Sequence, residues 1–388
     1  MNKIKIVFFT PTFNRTGSEI ALYNLISNAE NDFEMTVVSK ITGELSASLP
    51  KNVKFVSAQP AFLSSLPQNS LASKALKKGL SLFNSEISFL QGIHKMYPSD
   101  LWYINTITQP EVMLFARRNK IPVILHVHEL EQMYNCISSE QLNNMISYPE
   151  LIIACSNTVA EVLQMCGRKD KIEVCYPAIG FDRILVSNEK TKEIRDKFGI
   201  NEDAFLWTMA GTMDSNKNPS LFVDLANRLL QMNLNAKFMW ISARNDDNGY
   251  VEFCKRKSFA LKIADKIIWI PKQNDEYYSY LNACDGFVLT SNKESFSMVA
   301  AEAMYLGKPV LSFDCGGINE IITDQTGIII PDFNIDLLVQ SMISVMNKKF
   351  IFNAAMSKET ALKFDSKIQK SKWEKIIKYA FSEIAPVQ

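Results

Sequence analysis

Histidine is scarce in this 388-residue chain, with three in all, at 94, 126 and 128. The seven cysteines, at 136, 155, 166, 175, 254, 284 and 315, include no Cys-x-x-Cys pair, and no histidine stands at ligand spacing from such a pair. That composition argues against a zinc site and a redox dithiol. An odd number of thiols scattered through apolar contexts such as Ile153-Ala154-Cys155 predicts buried cysteines in a reducing compartment. His126 and His128, two apart, would face one side of a strand, but no third metal ligand accompanies them. Charge of one sign is also lacking. The 42 basic and 41 acidic residues give a net charge of +1, and neither half is a basic or acidic arm, so there is no electrostatic footprint for nucleic acid. Long apolar runs are missing too. The stretch from Met1 to Thr10 is short, is ended by Pro11 and carries no small-residue cleavage site, and so reads as the first strand of a cytoplasmic protein. No internal repeat or low-complexity segment is found.

What is present is a long alternation of strand and helix signals, over a length that predicts two domains. Ile4 to Thr10 is apolar on both faces, as a parallel strand covered by helices would be. Pro11 to Gly17 reads as a loop, and a helix opens at Ser18. Gly17 and Ser18 against that helix start would let a backbone approach a phosphate closely, or would make an ordinary strand-to-helix turn. Met35–Ser39, Val53–Ser57, Leu101–Asn105, Val123–Glu129 and Leu151–Ser156 read as further strands, and Ser156 is expected to cap the helix Asn157–Cys166. His128 falls at the carboxyl end of its strand, where open α/β sheets bind ligands; His126 reads as core and His94 as surface. Between Leu63 and Tyr97 the chain reads as mostly helical. There Lys74, Lys77 and Lys78 share one turn, which fits either a solvated face or weak contact with an anionic membrane. Tyr176 to Asp182, punctuated by Pro177 and Gly180, is the best linker.

A second βαβ series follows. Phe205–Ala210 leads through Gly211 and Asn216 to Lys217, just ahead of the helix Ser220–Met232. An ammonium there would pair with a diphosphate and stabilise charge on a leaving group; an exposed loop lysine is the alternative. Lys237–Ser242 precedes Arg244, and the strand from Ile267 runs into Pro271, with a helix expected from Asp275 to Ala283. Gly286–Thr290 is then followed by Glu294-Ser295-Phe296-Ser297-Met298-Val299, with Ser297 a good N-cap for a helix that Gly307 ends, and by the strand beginning at Val310. The N-terminus of that helix favours an anion. Glu294 and Glu302, with seven residues between them, would bracket a nucleotide sugar, Glu302 accepting from a ribose diol, or would be two solvated helix-surface residues.

The stretch from Glu294 to Glu320 closely resembles the E-x7-E segment of retaining GT-B glycosyltransferases, family 4. The match runs through Glu294, Phe296, Glu302, Ala303, Gly307, Pro309, Val310, Gly316, Gly317 and Glu320. Gly211 and Lys217 align with the family's Gly-to-Lys spacing, and Gly17-Ser18 resembles its Gly-Gly loop, with Thr16 in the first glycine's place. Ser295 and Ser297 depart from the usual glycines, Asn218 replaces another, and the arginine that commonly joins the lysine is missing, Thr212 or Asn216 standing at its possible positions. Arg244 is the expected substitute cation.

The resemblance implies an α/β GT-B fold. Two doubly wound Rossmann-like domains face across a cleft: residues 1–178 on the acceptor side and 179–365 binding the donor, with a helix over 366–388 crossing back to the first domain. It implies a bacterial hexosyltransferase-type enzyme, cytoplasmic or peripheral on the inner face of the plasma membrane, working with retention and without a metal or other cofactor. Its donor would be a UDP- or GDP-linked sugar and its acceptor a hydroxyl of a glycan or lipid-linked glycan, in cell-surface polysaccharide or glycolipid synthesis. Lys217, Glu294 and His128 take the catalytic roles. Gly17, Ser18, Gly211, Asn216, Lys217, Arg244, Pro271, Glu294, Ser295, Phe296, Ser297, Met298, Val299 and Glu302 take donor binding, Pro271 at the turn that meets the base. A sugar-nucleotide epimerase on the same fold and a silent sugar-nucleotide-binding partner are the alternatives; the missing arginine and the two serines keep the silent binder in view.

Overall fold

A computed structural model describes residues 3–27, 29–58, 86–244, 249–273 and 276–384. It divides into two compact units, residues 1–178 with 366–388, and 179–365. The lysine-bearing turn at Lys74, Lys77 and Lys78 lies outside the described residues, as does Asp275.

In the first unit seven parallel strands lie in the order β3-β2-β1-β4-β5-β6-β7. They are β1 (Ile4–Thr10), β2 (Phe33–Ser39), β3 (Val53–Ser57), β4 (Leu101–Asn105), β5 (Val123–Val127), β6 (Leu151–Ala154) and β7 (Ile172–Val174). Alternation along β1 shows how the sheet is doubly covered. Ile6 and Phe8 enter one core, with Tyr103 and Trp373. Val7 and Phe9 enter the other, with Trp102 and Phe115. Successive side chains on a strand point to opposite faces, so a run apolar at every position needs helices on both sides. Helix α1 (Gly17–Ser27) follows β1, and α2 (Asn157–Met165) begins at Ser156, whose hydroxyl accepts from the Val159 N–H at 3.1 Å as expected of a cap.

The second unit has six parallel strands in the order β10-β9-β8-β11-β12-β13. They are β8 (Phe205–Gly211), β9 (Ala236–Ser242), β10 (Ile267–Ile270), β11 (Gly286–Leu289), β12 (Val310–Phe313) and β13 (Gly327–Ile330). Helix α3 (Pro219–Gln231) follows β8, α4 (Tyr277–Asn282) follows β10, and α5 (Met298–Tyr305) follows β11. The chain then returns to the first unit as α6 (Ser366–Ile384), which packs on α1 and buries Trp373 completely.

Both sheets run outward from their first strand in two directions, so each has a switch point beside that strand: between β1 and β4, and between β8 and β11. Crevices form there, because the connections on either side leave to opposite faces of the sheet. Burial corrects one expectation and removes one alternative. Cys136 and Cys166 are exposed, since both lie at the ends of surface helices, whereas the other five thiols are buried. Neither Glu294 nor Glu302 is a solvated surface residue: they are 7% and 8% exposed.

Candidate active site

The second unit's switch point is built by the loops that leave β8 and β11. Gly211 ends β8 with φ of 151°, and the aliphatic carbons of Lys217 lie 3.5 Å from where a Cβ at Gly211 would stand. A side chain there would meet the lysine at ordinary contact distance but would strain the backbone. Asp214, which sequence reasoning missed, shapes the loop: it accepts from the N–H groups of Asn216 and Lys217, each at 3.0 Å, and from the Thr212 hydroxyl at 2.5 Å. An Asp taking two N–H groups further along its own loop is an Asx-type turn. Its sequence signal is one acidic residue in a run of small polar ones.

Asn216 and Asn292 stitch the two loops together. Asn216 Nδ2 donates to the Lys293 carbonyl at 3.0 Å and its Oδ1 accepts from the Lys293 N–H at 3.2 Å; Asn292 Nδ2 donates to the Ser215 carbonyl at 2.8 Å. The Thr290 hydroxyl donates to the Lys217 carbonyl at 2.8 Å. The outcome is that Lys217 Nζ stands 2.5 Å from Glu294 Oε1, joining two groups 77 residues apart. Glu294 is held in turn by its backbone, which receives the Gly317 N–H at 2.8 Å and donates to the Cys315 carbonyl at 2.7 Å. A Cβ at Gly317 would stand 2.1 Å from the Ser295 carbonyl oxygen, so only glycine permits this approach.

Two helices start at this point, each from a left-handed residue that is not glycine. Asn218 (φ 57°) heads α3 and its side chain accepts from the Leu221 N–H at 3.2 Å. Ser297 (φ 88°) heads α5, but its side chain caps nothing. The expected capping role is therefore corrected: Ser297 holds the N-cap position with a left-handed backbone, and its hydroxyl makes no cap hydrogen bond to the α5 amides. That hydroxyl is buried and has no hydrogen-bond partner among the described residues. Phe296 packs edge-on against Phe364, ring centroids 4.8 Å apart, while Ser295, Met298 and Val299 are half-buried.

Farther along α5, Glu302 accepts from the hydroxyls of Tyr277 (3.0 Å) and Tyr278 (3.1 Å), which open α4. Burial pushes its carboxyl up to about 7, and the two tyrosine bonds act in the opposite direction. The Pro271 carbonyl, at the end of β10, accepts from Gln273 Nε2 at 3.0 Å. Arg244 is exposed just beyond β9.

In the first unit the loop after β1 is organised by Glu19, another residue missed from the sequence. Its carboxylate accepts from the N–H groups of Thr12 (2.8 Å), Phe13 (2.7 Å) and Asn14 (2.9 Å), and from the hydroxyls of Thr12, Thr16 and Thr10. The loop's concave row of amides thus holds an internal anion, while Gly17 and Ser18 open α1. Thr16-Gly17-Ser18-Glu19 has the Ser/Thr-x-x-Glu spacing of a capping box, a signal that could have pointed to Glu19.

Across the switch point, Asn105 Nδ2 donates to the Ser18 carbonyl at 3.2 Å and Asn105 Oδ1 lies 3.0 Å from His128 Nε2. With Asn105 so oriented, Nε2 of His128 carries the proton and Nδ1 is left as an acceptor. Burial holds this imidazole well below its ordinary range, so it is neutral at pH 7. Glu129 beside it accepts from the N–H groups of Ile107 (3.3 Å) and His128 (3.0 Å) and from the Thr106 hydroxyl, and burial raises its carboxyl. His126 is fully buried, its Nδ1 2.6 Å from the Tyr103 hydroxyl, in keeping with a core residue. His94 is exposed, although its ring meets Trp102 and Phe115 edge-on.

Residues 190–363 match the family described as Glycosyl transferases group 1. Among curated proteins, the D-inositol 3-phosphate glycosyltransferase of Mycobacteroides abscessus is 28% identical over 165 residues, 42% of this chain and 36% of that protein. The protein of the same name from Streptomyces scabiei is 23% identical over 285 residues, 68% of this chain and 64% of its own length. The chain thus spans less than two thirds of the length of these two relatives. Among solved structures, HepE from Anabaena in complex with UDP-glucose superposes with a TM-score of 0.79 at 18% identity, covering 97% of this chain and 100% of that one. Sucrose-phosphate synthase from Thermosynechococcus elongatus gives 0.77 at 13% identity, covering 98% and 100%. Likeness at this identity speaks for the fold. Residues 190–363 thus match a glycosyl transferases group 1 domain over somewhat less than half of the chain, and strand order and these superpositions show two Rossmann-like units with the GT-B fold.

Proposed function

We propose that the protein is a glycosyltransferase whose second unit binds a nucleotide diphosphate-sugar, and that it moves the sugar to a hydroxyl acceptor with retention and without a metal. The observation that carries this reading is the meeting of Lys217 and Glu294 at the switch point, beside the N-termini of α3 and α5. A departing nucleoside diphosphate needs compensation for negative charge that grows as the glycosidic bond breaks. Lys217 supplies a cation and the two helix N-termini supply oriented N–H groups. Glu294, buried beside the lysine, is placed to orient the sugar, and Glu302 to accept from the ribose. Arg244 is the candidate second cation. For the first unit, the family resemblance assigns the neutral His128 a part in turnover and the Gly17-Ser18 turn a part in donor contact. The UDP-glucose in crystals of HepE supports a nucleotide-sugar donor, and the name of WaaG, a glycosyltransferase involved in lipopolysaccharide biosynthesis, supports a cell-surface glycan as product.

The test is mass spectrometry of the purified protein with a panel of UDP- and GDP-sugars in the presence of EDTA, which should show transfer to an added acceptor or slow donor hydrolysis. Lys217→Gln should then lower kcat by about 10²–10³-fold, the size of effect seen when one preorganised donor to a developing anion is lost, and raise KM far less. Because the substitution strands the buried Glu294, Lys217→Gln/Glu294→Gln is measured beside it to separate lost charge stabilisation from misfolding. Donor binding with no turnover by the wild type would leave a silent sugar-nucleotide binder, and near wild-type turnover in both folded variants would remove Lys217 from the site.

A further inference from the structure

Glu302 is satisfied within its own unit. Both of its oxygens hold a tyrosine hydroxyl, Tyr277 on Oε2 and Tyr278 on Oε1, and the side chain is 8% exposed. The two rings stand edge to face with centroids 4.9 Å apart, so they form one block at the start of α4. A buried carboxylate without donors is costly, and a Lys or Arg partner would lock it in a strong ion pair. Two neutral hydroxyls satisfy it with bonds that a ligand of the same chemistry is able to replace. Two hydroxyl donors on one carboxylate are also what a vicinal diol offers.

We propose that Tyr277 and Tyr278 set the ribose specificity of this site: their hydroxyls hold the Glu302 oxygens where a ribose diol would, and an incoming nucleoside takes over at least one of those positions. The inference rests on the nucleotide-sugar reading above. Its physical content is an exchange. One O–H donor on the carboxylate replaces another, so the net gain from a ribose hydroxyl is small, because the displaced tyrosine must find water or another acceptor. A 2′-deoxynucleotide simply leaves one tyrosine where it was. The wild type therefore discriminates weakly between ribo- and deoxyribonucleotides. Removing the tyrosine hydroxyl from the Glu302 oxygen that the ribose 2′-hydroxyl would meet leaves that oxygen short of a donor, and a ribonucleotide restores it where a 2′-deoxynucleotide does not.

The experiment is calorimetry of UDP, dUDP, GDP and dGDP with the wild type, Tyr277→Phe and Tyr278→Phe at pH 8.5, where Glu302 is ionised. Phenylalanine keeps the rings and their packing, and circular dichroism checks the fold. Whichever ribonucleotide the wild type binds should bind at least one variant about tenfold more tightly, as expected when a hydrogen bond to a charged group no longer has to be exchanged. The matching deoxynucleotide should change little, so the ribo-to-deoxy ratio rises by a similar factor. Weaker ribonucleotide binding in both variants, or an unchanged ratio, would overturn the exchange and make the tyrosines ordinary supports of Glu302. A wild type that binds neither UDP nor GDP would remove the nucleotide reading itself, and this inference with it.

Discussion

Glu302 is a carboxylate held out of water, and its titration should be visible in the stability of the whole protein. Burial raises it to about 7 from the 4.5 expected when it is exposed. The folded state therefore keeps the proton longer than the unfolded state. The stabilising contribution of this group is complete below about pH 4.5 and is lost as pH rises through 7. Relative to Glu302→Gln, the wild type should lose about 3 kcal/mol between those limits, at about 1.4 kcal/mol per pK unit. Urea midpoints of both proteins at pH 5 and pH 8 check it, and parallel pH dependence would mean that Glu302 is hydrated in solution. Ser297 offers a second test at this scale. It combines a left-handed backbone with a buried hydroxyl that has no hydrogen-bond partner among the described residues, and each carries a cost. Ser297→Gly should stabilise by about 1 kcal/mol through relief of the backbone. If the hydroxyl serves the ligand, the same change should weaken nucleotide binding several-fold; stability and affinity rising together would make it a packing accident.

At the scale of elements, the loops after β1 and after β8 are closed by acidic residues in different ways. Asp214 closes the β8 loop through two amides and leaves Lys217 to meet Glu294. Glu19 closes the β1 loop completely, holding three successive amides and three hydroxyls around Phe13, which is buried with φ of 50°. The strained turn persists because the carboxylate over-determines it. Glu19→Gln keeps the shape but turns an N–H₂ toward donors, and should destabilise the first unit by about 3 kcal/mol, the range for buried donors left unsatisfied beside a lost charge. Chemical denaturation followed by the tryptophan signal of this unit measures it, and a change below about 0.5 kcal/mol, the size usual for surface substitutions, would show that water serves the loop equally well.

For the molecule as a whole, the chain divides into two units with separate cores, and the first takes its last helix from beyond the second. Trp373 on α6 is fully buried against Phe8, Phe33 and Tyr103, and its indole N–H donates to the Tyr103 hydroxyl at 3.2 Å. Trp373→Ala should cost the first unit about 3–5 kcal/mol. Differential scanning calorimetry should show its transition moving down, while a bound nucleotide raises the transition of the second unit. A nucleotide that raises the transition of the first unit alone would contradict the placement of the donor site.

Strands and helix starts were legible because their signals are local. Ile4–Thr10, Leu101–Asn105 and Val53–Ser57 are apolar runs of strand length, and the structure ends them at the same residues. Gly211, Lys217, Glu294 and Glu302 stood out because their spacing, Gly to Lys over six residues and Glu to Glu with seven between, is a local pattern that resembles a known family's. What they do to one another did not. Lys217 and Glu294 meet only because β11 lies beside β8, and strand order is a tertiary fact that brings together groups 77 residues apart. The two tyrosines on Glu302 and the six groups on Glu19 were silent for the same reason. A hydroxyl or an amide has no directional preference until packing excludes water and decides which carboxylate it must satisfy.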